Sequence, residues 1–379
     1  RYVIDYLVEE VLEQQTPQVQ SFLLQTSILD RMVASLCNTV TEREDGQETL
    51  EKLEATNLFL VPLDGERRWY RYHHLFAGLL RHRLRQEQAS TVPKLYRRSS
   101  KWHEQDGLVA TAIEHAIAAE DMEHAARLVE EYYRPALWRG QVTAVLGWLA
   151  SLPDSLVRSD PSLSLGYAWG LFLSGQMGAI EQRLQDAEMA LAGGAGSGDD
   201  ERRAELHGEM ATLRAYLLRV WGDPVRGIQL AQSVLQQVPE DNLPARGVLL
   251  TVLGGLYRDT GDIERASTSF AEAIPISRAG GNIMAAVMAV DNLVQLLVMQ
   301  GQLRRAAGAC QQMMESTAGP GEQNGQRVPA SGMACVSLGS VLYEWNKLAE
   351  AEEHLRMGIE RSRRGGFFQS MVYGQILLA

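Results

Sequence analysis

The sequence predicts an all-α protein, a winged-helix domain with one small β-hairpin followed by an α-solenoid of helix pairs. Three observations carry this. Apolar residues recur at helical spacing along almost the whole chain. The one β-rich stretch, "LFLVPLDGERRWYRY", brackets the turn pair Asp64-Gly65. Beyond about residue 157 a Leu/Gly step returns at intervals of roughly forty residues.

"YVIDYLVEEVLEQQ" places Val3, Leu7, Val8, Val11 and Leu12 on one helical face. Thr16 is set to cap a second helix with Pro17 in its first position, because a hydroxyl accepts a free N–H there and proline needs none. "VASLCNTV" and "GQETLEKLEATNL" read as two short helices joined by the polar turn "TERED". The hairpin follows, and then a helix through Leu75, Phe76, Leu79, Leu80 and Leu84. Helix, turn, helix, hairpin is the order of a winged helix.

Such domains often bind DNA, but the charges here oppose it. The helix that would read bases carries Glu48, Glu51 and Glu54 against Lys52 alone. The hairpin and the next helix are basic: Arg67, Arg68, Arg71, Arg81, Arg83 and Arg85 stand against Glu66. A wing of that charge suits a phosphate backbone, whereas the reading helix would be repelled. The whole-chain charge of −11 also argues against a protein that coats nucleic acid.

His73 and His74 fall where the strand ends and the helix begins. A helix N-terminus favours anions, and a histidine there adds a donor for phosphate, with Arg71 nearby. Capping and packing is the alternative role for both rings. A metal is not expected, because no second ligand cluster supports it and "HEQDG" at His103 lacks the second histidine of a zinc helix.

From about residue 95 the pattern is wholly helical. "SLPDSLVRSDPSL" interrupts it with two prolines, and a boundary is placed there. The expected division is a winged helix at 1–90, a helical arm at 91–156 and a sensor solenoid at 157–379. The clearest repeat is "LGGLYRDTGDIERASTSFAEA", with Leu253, Gly254, Tyr257, Gly261, Ala266, Phe270 and Ala273 at the spacings of a tetratricopeptide (TPR) helix pair. Weaker copies begin at Tyr167-Ala168, Arg214-Ala215, Leu293-Val294 and Leu338-Gly339. Their steps exceed the ~34 residues of the standard repeat, which fits the inserts at 192–200 and 319–332 and longer helices. Projecting the register puts Trp169, Tyr216, Arg219, Thr251, Arg258, Asp259, Asp291, Asn292 and Gln295 on or near the concave wall, a mixed set suited to a polar ligand or a peptide. Met284, Met288, Met299, Met313 and Met314 read as core filler.

The stretches "RYVIDYLVEEVLEQQTPQVQSFLLQTSILDR", "LEKLEATNLFLVPLDGERRWYRYHHLFAGLLRHRL" and "LYRRSSKWHEQDGLVATAIEHAIAAEDMEHAARLVE" closely resemble the large ATP-dependent, MalT-like LuxR-type regulators of the STAND class of signal-transducing ATPases. The likeness is dense over residues 1 to about 155; beyond that only the architecture is shared. It implies an ATPase module before the winged helix, then a helical arm, a TPR-like sensor and a C-terminal LuxR-type DNA-binding domain. It also implies a role for "YHHL", which is similar to the Met-His-Asp-Leu motif of related switches. By that likeness His73, with Arg71 nearby, contacts the β-phosphate of bound ADP, while His74 replaces the aspartate. ATP and ADP are thus cofactors of the intact protein and none is expected for this chain. Its expected partners are a small-molecule inducer or a protein, and the ATPase and DNA-binding domains of the same protein, with self-association left open. No membrane partner is expected, and DNA only through a domain absent here.

The chain opens on Arg1 and closes on the uncapped "QILLA", from which a fragment is expected. No apolar run approaches the roughly 18 residues of a membrane span, and three scattered cysteines in apolar contexts fit a reduced, cytoplasmic protein. The reading is therefore a regulatory and inducer-sensing segment of a bacterial transcription regulator; a TPR scaffold for protein partners, without small-molecule sensing, is the alternative. No enzyme activity is expected. A P-loop needs Gly-Lys-Ser/Thr, and none of the four lysines (Lys52, Lys94, Lys101, Lys347) follows glycine. This chain should neither hydrolyse ATP nor bind it tightly, and micromolar ATP binding in calorimetry would overturn that.

Overall fold

The computed structural model describes residues 12–56, 58–193, 200–317 and 331–379. Most of the opening helix and of the inserts at 192–200 and 319–332 lies outside them. The chain divides into two compact units, the first ending at Leu128 and the second beginning at Val129.

The first unit opens with α1 (Pro17–Thr26), where Thr16 Oγ1 accepts from the Val19 N–H at 3.4 Å and Pro17 sits in the first turn. Helices α2 (Ala34–Thr41) and α3 (Gly46–Ala55) follow. Strands β1 (Leu60–Pro62) and β2 (Tyr70–Tyr72) pair antiparallel, Val61 opposite Arg71. The strands are shorter than the β-rich runs because Phe59 takes a left-handed φ of 53° and Pro62 has no N–H to give a ladder. Nor is Asp64-Gly65 a two-residue turn. The Leu63 N–H donates to the Trp69 carbonyl at 2.7 Å, and the Asp64 carboxylate accepts from the N–H groups of Arg68 (2.9 Å) and Trp69 (3.2 Å). Asp64 therefore organises a longer loop.

Met32 adds a bridge to β2, exchanging both backbone hydrogen bonds with Tyr70. Tyr70 and Tyr72 point into a core with Phe22, Leu23, Leu36, Leu50, Phe76 and Leu80. There Thr26 Oγ1 donates to the Phe22 carbonyl, so the Tyr72 hydroxyl donates to Thr26 at 2.7 Å. Helix α4 (His74–Glu87) is followed by α5 (Val92–Gln105) and α6 (Val109–Ala118), which hold a histidine pair around Ser99. His103 Nδ1 lies 2.8 Å from the Ser99 carbonyl, His115 Nδ1 lies 2.8 Å from Ser99 Oγ, and the two rings meet edge to face at 5.0 Å.

The division between the units falls within α7 (Met122–Trp138). The second unit continues with α8 (Val142–Ser151), α9 (Asp154–Ser159), α10 (Pro161–Leu173) and α11 (Ile180–Gly193). Pairs α12 (Asp200–Val220) with α13 (Pro224–Gln237), and α14 (Leu243–Asp259) with α15 (Ile263–Ala279), come next. They are followed by α16 (Ile283–Met299) with α17 (Leu303–Thr317), α18 (Ser331–Glu344) with α19 (Leu348–Gly365), and α20 (Phe368–Leu378).

The repeat register holds: the marked steps fall on α10, α12, α14, α16 and α18, the first helices of successive pairs. The junctions share one chemistry. Gly222 and Gly261 turn the chain at φ of 85° and 82°, and Asp223 and Asp262 then cap the next helix through its third N–H. Beyond residue 95 no strand occurs among the described residues, and no helix there is long and apolar enough to cross a membrane. Met284 and Met313 are buried as expected. Met299 is 75% exposed, because it ends α16 beside the turn at Gly301 instead of facing α17.

The histidine pair makes the first unit acid-sensitive. Burial pushes His115 down to about 4, and His103 beside it lowers it further; burial lowers His103 as well. Asp30 and Arg81 also face His115, with opposite effects. Both imidazoles are held neutral in the fold, so their contribution is complete above the unfolded histidine pKa of about 6.5. It is lost as pH falls from there toward 4, on the order of 3 kcal/mol for His115. The melting temperature should therefore drop between pH 7 and pH 5, and His115→Gln should flatten that dependence.

Candidate functional site

Two sets of side chains answer to the sequence reading, one in each unit. In the first, the backbone fixes His73 firmly: its N–H donates to the Phe59 carbonyl at 2.7 Å and its carbonyl accepts from the Ala77 N–H at 2.9 Å. Its ring is exposed and lies over that of His74, centroids 4.3 Å apart. Neither ring caps the helix, and no other side chain among the described residues does. The first N–H groups of α4 therefore remain open to an anion. Arg71 alternates with the buried Tyr70 and Tyr72, which places it on the outer face of β2. Among the described residues the side chains of Arg71, His73 and His74 have no hydrogen-bonding or ionic partner.

Apart from Arg85, the rest of the basic patch is already paired with carboxylates. Arg67 pairs with Glu54 at 3.5 Å, Arg68 with Glu66 at 2.7 Å, Arg81 with Asp30 at 2.6 Å, and Arg83 with Glu13 and Glu87. The wing is thus much less cationic than its composition, which further disfavours it as a DNA reader. Exposed Phe59, Val61, Leu63 and Leu75 lie on the same hairpin and helix start.

In the second unit most of the projected wall residues meet, but they meet one another. The Arg219 guanidinium lies over the Tyr216 ring at 5.4 Å and is held by both carboxylate oxygens of Asp259. Arg258 approaches Asp259 at 3.5 Å and donates to Asn292 Oδ1 (2.8 Å) and Gln295 Oε1 (3.2 Å). Gln295 Nε2 donates to Asp291 at 3.0 Å, and Ser337 Oγ donates to the other oxygen of Asp291. Burial pushes the Asp291 carboxyl above the usual carboxylate range, while the Ser337 hydroxyl and Arg258 oppose the shift. The ladder joins α12, α14, α16 and α18. Trp169 stands apart on α10, edge-on to Phe172 at 5.7 Å; Phe172 in turn meets Tyr216 at 4.4 Å. Thr251 is buried, its hydroxyl turned back to the Gly247 carbonyl at 2.8 Å.

Ser337 was missing from the projected set, although one further step of the register places it where α16 carries Asn292. The neighbouring stretch of wall is closed by Phe172, Met284, Met288, Met333 and Phe367, which leave about 30 Å³, room for a single water. No group of three or more potential metal-binding side chains occurs among the described residues.

Comparison with known proteins agrees with this layout. Residues 8–92 match the family model described as the MalT winged helix domain, and residues 208–379 the one described as the MalT-like TPR region. The chain carries a MalT-type winged helix and a MalT-like TPR region. The MalT-like chain is 29% identical over 363 residues to the HTH-type transcriptional regulator MalT of Yersinia enterocolitica, and 28% identical to that of Yersinia pestis. Each alignment covers 95% of this chain and 39% of the relative, so the chain spans well under half the length of these regulators. The crystal structure of a STAND protein with a tetratricopeptide repeat sensor, from Pyrococcus horikoshii, aligns at a TM-score of 0.47 with 14% identity, over 98% of this chain and 55% of that one.

The ladder of the MalT-like array makes a stability prediction. Arg219→Ala and Asp259→Ala should each cost about 1 kcal/mol in urea unfolding, and the double variant should lose less than the sum of the two. Strict additivity would show that the pair contributes no coupling.

Proposed function

We propose that this chain is the regulatory middle of a cytoplasmic transcription regulator. In this reading the winged helix holds a nucleotide-bound resting state, and the TPR-like array senses an inducer or partner and biases that state. ATP hydrolysis and DNA binding belong to other parts of the intact protein. The observation that carries the reading is the edge formed by Arg71, His73 and His74. It is positioned by backbone hydrogen bonds and lies at an uncapped helix start, and its side chains form no hydrogen bond or ion pair among the described residues. Three buried free thiols suit a reducing compartment.

A second reading, a scaffold for protein partners, draws on a different observation. Val220, Trp221 and Val225 are exposed around one turn between paired helices, and Tyr343, Trp345 and Leu348 around another. Exposed apolar side chains in such numbers favour a protein surface over a sugar or nucleotide.

In the intact regulator, His73→Ala should speed ADP release about tenfold and raise basal transcription, since a charge-assisted hydrogen bond contributes roughly 1.5–3 kcal/mol. The checks are nucleotide exchange with a labelled ADP and transcription without inducer. Parent values in both would leave His73 with no part in the switch.

A further inference from the structure

The inner wall is engaged with itself, but the array opens elsewhere. A cavity of about 250 Å³ is lined by Ile283, Ala286, Val287 and Val290 of α16, Met313 of α17 and Arg278 at the end of α15. The spacing of the four α16 residues sets them along one stripe, well round the helix from Met284, Met288, Asp291 and Gln295. The two surfaces are therefore distinct.

The lining is apolar except at the rim. Arg278 is exposed there, and among the described residues its guanidinium makes one hydrogen bond, a long 3.5 Å contact to the Gln312 carbonyl. No carboxylate pairs with it among the described residues, unlike Arg219. A cavity of about 150 Å³ lined by aliphatic side chains admits benzene. One of this size takes a single ring or a chain of about six to eight carbons, with its polar end at the rim. A guanidinium there selects a carboxylate, which it can engage through two parallel N–H donors.

We propose that this crevice binds a small apolar monocarboxylate, its hydrocarbon among Ala286, Val287, Val290 and Met313 and its carboxylate on Arg278. The binding stands independently of the sensor reading; its use as a signal rests on that reading.

Calorimetry and thermal shift on the whole chain would use butanoate, hexanoate and octanoate, with 1-octanol as the neutral control. Affinity should rise about fourfold per methylene until the crevice is filled. Arg278→Gln should weaken octanoate about tenfold and leave 1-octanol unchanged. Val287→Phe, which fills the space, should abolish both; Ile283→Trp at the half-exposed rim does the same with less risk to the core. No saturable carboxylate binding at millimolar concentration overturns the proposal, and so does binding indifferent to both Arg278→Gln and Ile283→Trp. If octanoate binds but intact regulator carrying Ile283→Trp responds to inducer as the parent does, the crevice stands and its role in sensing falls.

Discussion

The second unit depends on helices approaching more closely than a methyl group allows. A Cβ at Gly254 would lie 2.5 Å from the Phe270 ring, one at Gly339 would lie 2.6 Å from Leu355, and one at Gly227 would lie 2.7 Å from Leu256. These contacts draw the two helices of a pair together, or one pair onto the next, and large side chains fill the space left alongside. A repeat unit cannot bury its apolar face alone, so this spacing is also what lets the array be stable at all.

Close stacking has an electrostatic consequence. It brings the first helices of α12, α14, α16 and α18 within reach of one another's polar side chains, and those side chains pair. Arginines that a register projection would offer to a ligand instead meet Asp259, Asn292 and Gln295 from neighbouring helices. A polar ligand on that wall would have to displace formed hydrogen bonds, and each partner left unpaired in a half-buried place is costly. An arginine outside the ladder escapes this competition, as Arg278 does.

Much of this was legible in the sequence. The helix pairs showed through because glycine, small and large residues recur at fixed offsets, and the winged helix because Thr16-Pro17 and the β-rich pair are local signals. What stayed hidden was long-range or conformational. That Arg67 and Arg81 are neutralised depends on where Glu54 and Asp30 come to lie. The loop at Asp64 is set by a carboxylate accepting two backbone N–H groups, which a turn dipeptide does not reveal. The crevice arises where three helices meet imperfectly, and periodicity says nothing about imperfect packing.

Helix α16 carries the ladder on one side and the crevice on another, and a helix turns as a rigid cylinder. With side chains its radius is about 5–6 Å, so a rotation of ten degrees or so moves its surface by roughly 1 Å. The Arg258–Gln295 hydrogen bond, at 3.2 Å, has far less slack than that before it fails. A wedge that rolled α16 from the crevice side by that much would reach the clasp to α14 on the other, with the helix as the axle between them.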